Sequence, residues 1–271
     1  MILQANFGSC PTDKDRQGFQ DTAECFLSAL YRNFQLREHM IGWRGGQLVA
    51  TCETSWRDSV GEQYHSEWGR EQLTRLSVEF ESVPTWQSWD TEDAEEDGDW
   101  RSSETLILST SYLNKPQSPL LCGDSGCRIP PYKLLLTDLF RDGLCSWQFA
   151  YQSVDAAWFH SSKLEIPAYR ELADPLSDLS EEGRKCCRTI EDATGIPTFY
   201  YLYRYYGRST GELDRLCPVC GNTWGQTIDA EDRDFRLPFR CWNCRLASDV
   251  GSTDDEPDLA LIGEFDQRSV K

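Results

Sequence analysis

Cys217-Pro-Val-Cys220 and Cys241-Trp-Asn-Cys244 are two CxxC pairs with twenty residues between them. Each pair suits a tight turn that presents two thiolates to one tetrahedral ion, and a hairpin of this length brings the second pair opposite the first. The spacing predicts a zinc ribbon over residues 210–250, with Cys217, Cys220, Cys241 and Cys244 as ligands of one structural Zn²⁺. Four sulfurs fill the coordination shell, leaving no position for water or substrate, which argues against a catalytic metal. Two disulfides in a secreted domain fit less well. Cys10, Cys25 and Cys52 lie singly among hydrophobic residues, as small buried thiols do, and Met1-Ile-Leu-Gln-Ala-Asn6 lacks the basic segment of a signal peptide. A reducing, cytoplasmic location is expected, and no apolar run approaches a membrane span.

Upstream of the ribbon, Thr198-Phe-Tyr-Tyr-Leu-Tyr-Arg-Tyr-Tyr206 is apolar or aromatic on both faces, as in a central strand. Packing accounts for these rings better than base stacking does, although Arg204 and Arg208 lie among and beside them. Ser180-Glu181-Glu182 reads as a helix start, with Ser180 as N-cap, and Gly195 and Pro197 as its end. Thr105 to Tyr112 alternates like a strand, and Tyr132 to Phe159 supplies apolar residues for one or two more elements. Residues 105–209 are accordingly read as a mixed α/β module.

The first 88 residues are expected to form a separate module. Met1 to Ser9 is a short strand; Arg16 to Phe34 places Phe19, Ala23, Phe26, Leu27, Leu30 and Phe34 at helical intervals. Ile41 to Thr54 is a hairpin turning at Arg44-Gly-Gly46, and Glu67 to Glu81 is a second helix. Strand, helix, hairpin and helix in that order predict an α+β chain whose residues 1–88 form a ferredoxin-like sandwich. Residues 89–104 read as an acidic linker or loop and 251–271 as an acidic tail.

The net charge is −18, from 45 acidic and 27 basic side chains, so the natural partners are basic. A chain this acidic meets an electrostatic penalty against nucleic acid. The densest run holds Asp90, Glu92, Asp93, Glu95, Glu96, Asp97 and Asp99. It is either a solvated connector or a recognition loop that steers a cationic protein surface. In the ribbon, Phe235, Leu237, Phe239 and Cys241 alternate with Arg236, Pro238 and Arg240, so one face shows guanidinium groups. Arg233 and Arg245 extend that rim, and the four arginines are the alternative site, for nucleic acid. Asp229, Glu231, Asp232 and Asp234 lie beside them and neutralise much of their field.

Cys217 to Trp224, Phe239 to Ser248 and Thr194 to Arg204 resemble a bacterial family of uncharacterised zinc-ribbon proteins, as do Cys122 to Tyr132 and Leu144 to Gln148. The likeness covers roughly the C-terminal half and fades over the first hundred residues. That family is usually described as a candidate for nucleic-acid binding, which the resemblance implies through the ribbon alone. Zinc-ribbon proteins of this look also include immunity proteins encoded beside bacterial toxins, which suits the acidity here. In the resembled family the Cys-Gly-Asp segment commonly runs straight on to a second cysteine; here Ser125-Gly126 intervenes, giving Cys122-x₄-Cys127. These two are read as structural thiols, with half of a second metal site as the other possibility.

Enzyme signatures are not evident. Gly123-Asp-Ser-Gly126 superficially matches a serine-protease nucleophile region, but Cys127 occupies the following position, and His39, His65 and His160 lie in no matching context. The sequence is thus expected to encode a non-enzymatic binding protein that neutralises a basic partner. Its most concrete form is an immunity protein that blocks a toxin domain such as a nuclease by one-to-one binding.

Overall fold

Leu3, Ala5 and Phe7 alternate with more exposed neighbours along β1 (Ile2–Ser9), which fixes which face of the first sheet carries the core. The structure, a computed structural model, describes residues 1–89, 100–113, 118–204, 216–223, 237 and 239–249. They belong to two compact units: Met1–Asp97 with Lys115–Ser118 and Pro130–Cys145, and Gly98–Asn114 with Pro119–Ile129 and Ser146–Lys271. The architecture is mixed α+β, with one sheet in each unit.

In the first unit, helix α1 (Arg16–Arg32) begins at Asp15, whose carboxylate accepts from the Gln17 and Gly18 amides. It buries Phe19, Ala23, Phe26, Leu27 and Leu30 on the expected face. The helix stops short of Phe34, which turns into the left-handed region at φ 63° and stays buried. Strands β2 (Glu38–Arg44) and β3 (Gln47–Glu53) are joined by Gly45 and Gly46 at φ 57° and 84°. A two-residue turn with both φ positive matches the twist of the strands it joins. Helix α2 (Glu67–Phe80) is capped by Ser66 Oγ, which accepts from the Gly69 amide. A strand not read from the sequence, β4 (Thr85–Ser88), then pairs with β1. The sheet order is β2-β3-β1-β4 and every pairing is antiparallel. Leu76 and Phe80 of α2 join the α1 residues against Leu48, Ala50 and Cys52 of β3 in one buried cluster.

Residues 130–145, expected in the 105–209 module, belong instead to this first unit. Tyr132 packs its ring 5.9 Å from Trp56 and 4.9 Å from Tyr64, and the Lys133 ammonium lies 2.7 Å from Asp58. Arg141, buried at the start of helix α3 (Asp138–His160), donates to Asn33 Oδ1 and the Leu136 carbonyl.

The second unit assembles its sheet from distant pieces. Strands β5 (Leu106–Leu108), β6 (Leu120–Cys122), β7 (Thr198–Tyr201), β8 (Phe239–Cys241) and β9 (Leu246–Ser248) lie in the order β6-β5-β7-β9-β8. The three inner strands are parallel to one another; β6 and β8 are antiparallel edges. Helix α4 (Glu165–Ala173) precedes α5 (Asp178–Thr194). The N-cap of α5 is Ser177, whose Oγ accepts from the Ser180 amide; Ser180 is the residue capped and is itself buried, correcting the expected start. Gly195 ends the helix at φ 73°, as expected. Gly183 lets α5 sit directly on β7, since a Cβ there would stand 2.4 Å from a Tyr200 ring carbon. No helix among the described residues is long and apolar enough to cross a membrane.

Candidate metal centre

The four cysteines come together through two turns built alike. In the first, the Cys217 amide donates to the Asn222 carbonyl at 2.7 Å, the Gly221 amide donates to the Cys217 carbonyl at 2.9 Å, and Gly221 sits at φ 71°. In the second, Cys241 ends β8, Leu246 opposes it on β9, and Arg245 takes the matching left-handed position at φ 53°. Such a turn after each CxxC folds the chain back so that both sulfurs of a pair face one point. The Sγ atoms of Cys217 and Cys244 are 4.0 Å apart, those of Cys220 and Cys241 3.5 Å, and all four lie within 4.8 Å of one another. A tetrahedron with metal–sulfur bonds of about 2.3 Å has edges of about 3.8 Å. Cys217 and Cys241 are buried and the other two half-buried. The cluster can hold a metal ion.

Crowding separates the thiols electrostatically. Burial raises Cys241 to about 11 and Cys244 higher still, their neighbouring sulfurs adding to the effect. At Cys220 burial acts the same way but is outweighed by the Asn222 amide and the Cys244 and Cys241 thiols, which bring it down to about 6. A cation at the centre of the four sulfurs removes this repulsion, because the ligand form of each is the thiolate.

The second turn is tied to the rest of its unit by residues that sequence reading missed. The Arg245 guanidinium donates to both Glu191 oxygens, at 2.6 and 2.5 Å, and lies 5.7 Å from the Phe199 ring. Trp242, between the cysteines, stands edge-on to Phe199 at 5.0 Å. The bidentate contact from Arg245 holds the Glu191 carboxyl below its ordinary range. On the sheet side the Tyr200 and Leu202 amides donate to the Arg245 and Ala247 carbonyls, both at 2.8 Å. Within the segment expected as the ribbon, the β8–β9 hairpin forms an edge of the second sheet. A hint was legible in Arg245, which occupies the position that glycine fills after the first pair.

The other candidate residues separate. Asp90, Glu92, Asp93, Glu95, Glu96, Asp97 and Asp99 lie outside the described residues, as do Arg233, Arg236, Phe235 and the 251–271 tail. Arg240 is half-buried on β8, 5.9 Å from the Phe199 ring, and Arg245 is engaged with Glu191. Phe199 and Tyr200 are buried, Tyr200 with its hydroxyl 3.3 Å from Ser180 Oγ. Cys122 is buried and Cys127 exposed. Cys52 is fully buried, whereas Cys10 and Cys25 are only partly so.

A cleft in the first unit was not read from the sequence. Its volume is about 380 Å³, and Glu67, Trp68, Glu71, Asp138, Leu139 and Asp142 line it over a floor of Ala29 and Asn33. Trp68 is 40% and Leu139 83% exposed. Asp142 pairs with Arg32, the single cation of the lining, and Asp138 pairs with Arg141 and accepts from the Glu67 amide at 2.5 Å. Four carboxylates against one guanidinium leave the lining at −3.

Residues 101–203 match a family described as "Domain of unknown function (DUF2310)". Two proteins of Haemophilus influenzae, each titled "Uncharacterized protein", are 39% identical to the chain over 147 residues, or 53% of its length. The match covers 70% of the first relative and 54% of the second, about half the length of the latter. The chain belongs to the uncharacterised bacterial family of these proteins. No solved structure matches it.

Proposed function

We propose that the protein is a zinc-stabilised binding protein for a basic protein partner, and in its most specific form a cytoplasmic immunity protein that blocks a toxin domain stoichiometrically. The observation that carries this reading is the cleft of the first unit, where Glu67 and Glu71 flank the exposed indole of Trp68. An indole face with carboxylates beside it suits a Lys or Arg side chain, which gains cation–π and charge-assisted contacts at once. The net charge of −18 draws such a surface in from a distance. In this reading the four cysteines hold one structural Zn²⁺, which suits an all-thiolate set, and the two turns form a zinc ribbon. The first unit is a ferredoxin-like sandwich, a reading supported by its β-α-β-β-α-β order and β2-β3-β1-β4 sheet.

The nucleic-acid alternative has less support: Arg245 is engaged with Glu191, and Phe199 and Tyr200 would have to leave the core to meet a base. The test is a pull-down of tagged, zinc-loaded protein from its native extract after nuclease treatment, repeated with Trp68→Ala and Glu67→Gln/Glu71→Gln. The expected result is one basic protein retained at one-to-one stoichiometry, weakened roughly tenfold or more by each variant, and harmless to growth only when the intact chain is co-expressed. Recovery of nucleic acid in place of protein before nuclease treatment, lost at higher salt, would overturn the reading.

A further inference from the structure

Cys122 and Cys127 serve no role in the metal centre or the cleft, yet the fold places them opposite one another along the backbone of one hairpin. Leu121 and Arg128 are antiparallel bridge partners, so the next pair inward is Cys122 and Cys127, and the Cys122 amide donates to the Cys127 carbonyl at 2.8 Å. Opposed residues in an antiparallel pair have Cα atoms about 4.5–5.5 Å apart. A disulfide spans about 4.4–6.8 Å. The loop between them is closed by the Gly126 amide on the Cys122 carbonyl at 2.8 Å, with Gly126 at φ 70°. It is pressed against the sheet at Gly123, whose amide donates to the Thr105 carbonyl at 2.8 Å; a Cβ on Gly123 would stand 2.2 Å from Thr105 Oγ1. The hairpin thus has little freedom to carry its two ends apart.

The two thiols differ in setting. Cys127 is exposed, whereas Cys122 is 4% exposed with its Sγ 3.3 Å from Ser103 Oγ. We propose that Cys122 and Cys127 form a reversible dithiol–disulfide site that takes low-molecular-weight disulfides of the glutathione type. Exposed Cys127 is the entry point: its thiolate attacks one sulfur of the small disulfide, forming a mixed disulfide and releasing one thiolate. The Cys122 thiolate then attacks the Cys127 sulfur, forming the Cys122–Cys127 bond and expelling the second small thiolate. Two protein thiols are oxidised, one small disulfide is reduced to two thiols, and the two protein protons pass to those thiolates through solvent.

The second step suits Cys122. Burial acts to raise its pKa, but the Ser103 and Ser125 hydroxyls and the Ser125 and Asp124 amides together hold it below the ordinary thiol value. With Cys127 exposed, the bond lies open to small thiols that reduce it again, which fits a switching site better than a structural bridge.

Mass spectrometry tests this on the full-length, zinc-loaded protein treated with oxidised glutathione. A tryptic fragment of residues 102–128 holds both cysteines and no other, so the disulfide registers as a loss of two hydrogens in one peptide. The expected result is that this form accumulates and dithiothreitol reverses it, with zinc retained. In Cys122→Ser the glutathione adduct on Cys127 should rise at least tenfold over the wild type, because the thiol that displaces it is gone. Cys127→Ser, at an exposed position, should leave the fold intact and abolish both adduct and disulfide in the fragment. A stable adduct on wild-type Cys127 with no loss of hydrogens, or oxidation confined to other cysteines, would overturn the proposal.

Discussion

The two sheets of this protein are built by opposite routes. The first takes β1, β2, β3 and β4 from 87 consecutive residues, pairs all of them antiparallel and is held by one apolar cluster. The second draws three-to-four-residue strands from five places between Leu106 and Ser248, and its β8–β9 edge rests on a cysteine cluster, an arginine–glutamate pair and an indole. Strands of three or four residues form few ladder hydrogen bonds each, so this clamp adds to what the buried Phe239, Leu246 and Ala247 supply. The first sheet should therefore answer to core packing and the second to the metal.

The largest difference should come from the cysteines. Cys217→Ser or Cys241→Ser is expected to remove most of the metal affinity and unfold the β8–β9 hairpin. The folding free energy at stake is about 10–16 kcal/mol, the scale on which structural Zn²⁺ binds small cysteine domains. Circular dichroism and metal content would check it, and an intact hairpin without metal would contradict it. Phe26→Ala, at a fully buried α1 position, is expected to lower the stability of the first unit by about 3–5 kcal/mol in a denaturant titration, with metal content unchanged. Gly183→Ala should act on the second unit alone, by about 1–3 kcal/mol, because its methyl group collides with Tyr200. Arg245→Ala should cost a similar amount, as it leaves Glu191 without its bidentate partner and loosens the second turn.

The smallest effect distinguishes the units by pH. His65 is buried beside Phe26, near Glu62 and Arg70, and burial holds its pKa below the usual value. The unfolded chain takes up this proton at about pH 6.5 while the folded chain resists it, so stability should fall as pH drops below that point. One such group gives a slope of at most about 1.4 kcal/mol per pH unit. His65→Leu should flatten the acid limb of the unfolding midpoint; an unchanged slope would place the titration elsewhere.

The same contrast explains what could be read in advance. The first sheet follows local rules: alternation in Ile2–Ser9, helical spacing from Phe19 to Leu30, and paired glycines between two strands. Only β4 escaped, because Thr85–Ser88 is four residues long and follows Val83-Pro84. In the second unit the cysteine spacing was plain, but nothing local in Leu246–Ser248 says that it lies beside Tyr200, and nothing in Glu191 names Arg245. The N-cap was misplaced by one turn because Ser177 and Ser180 both suit the role, and only the fold decides which one stays outside the helix. The cleft was invisible for a similar reason: Trp68 and Leu139 are far apart in sequence.

Hydrogen exchange followed by mass spectrometry, on the full-length chain before and after metal is stripped with a chelator, compares the two sheets in a single experiment. If the cysteine cluster clamps the second sheet, protection should collapse over 239–248 and weaken over 198–201, while β1, β3 and α1 keep theirs. Unchanged protection of the β8–β9 amides after complete metal loss would mean that the apolar contacts and the Arg245–Glu191 pair hold that edge by themselves.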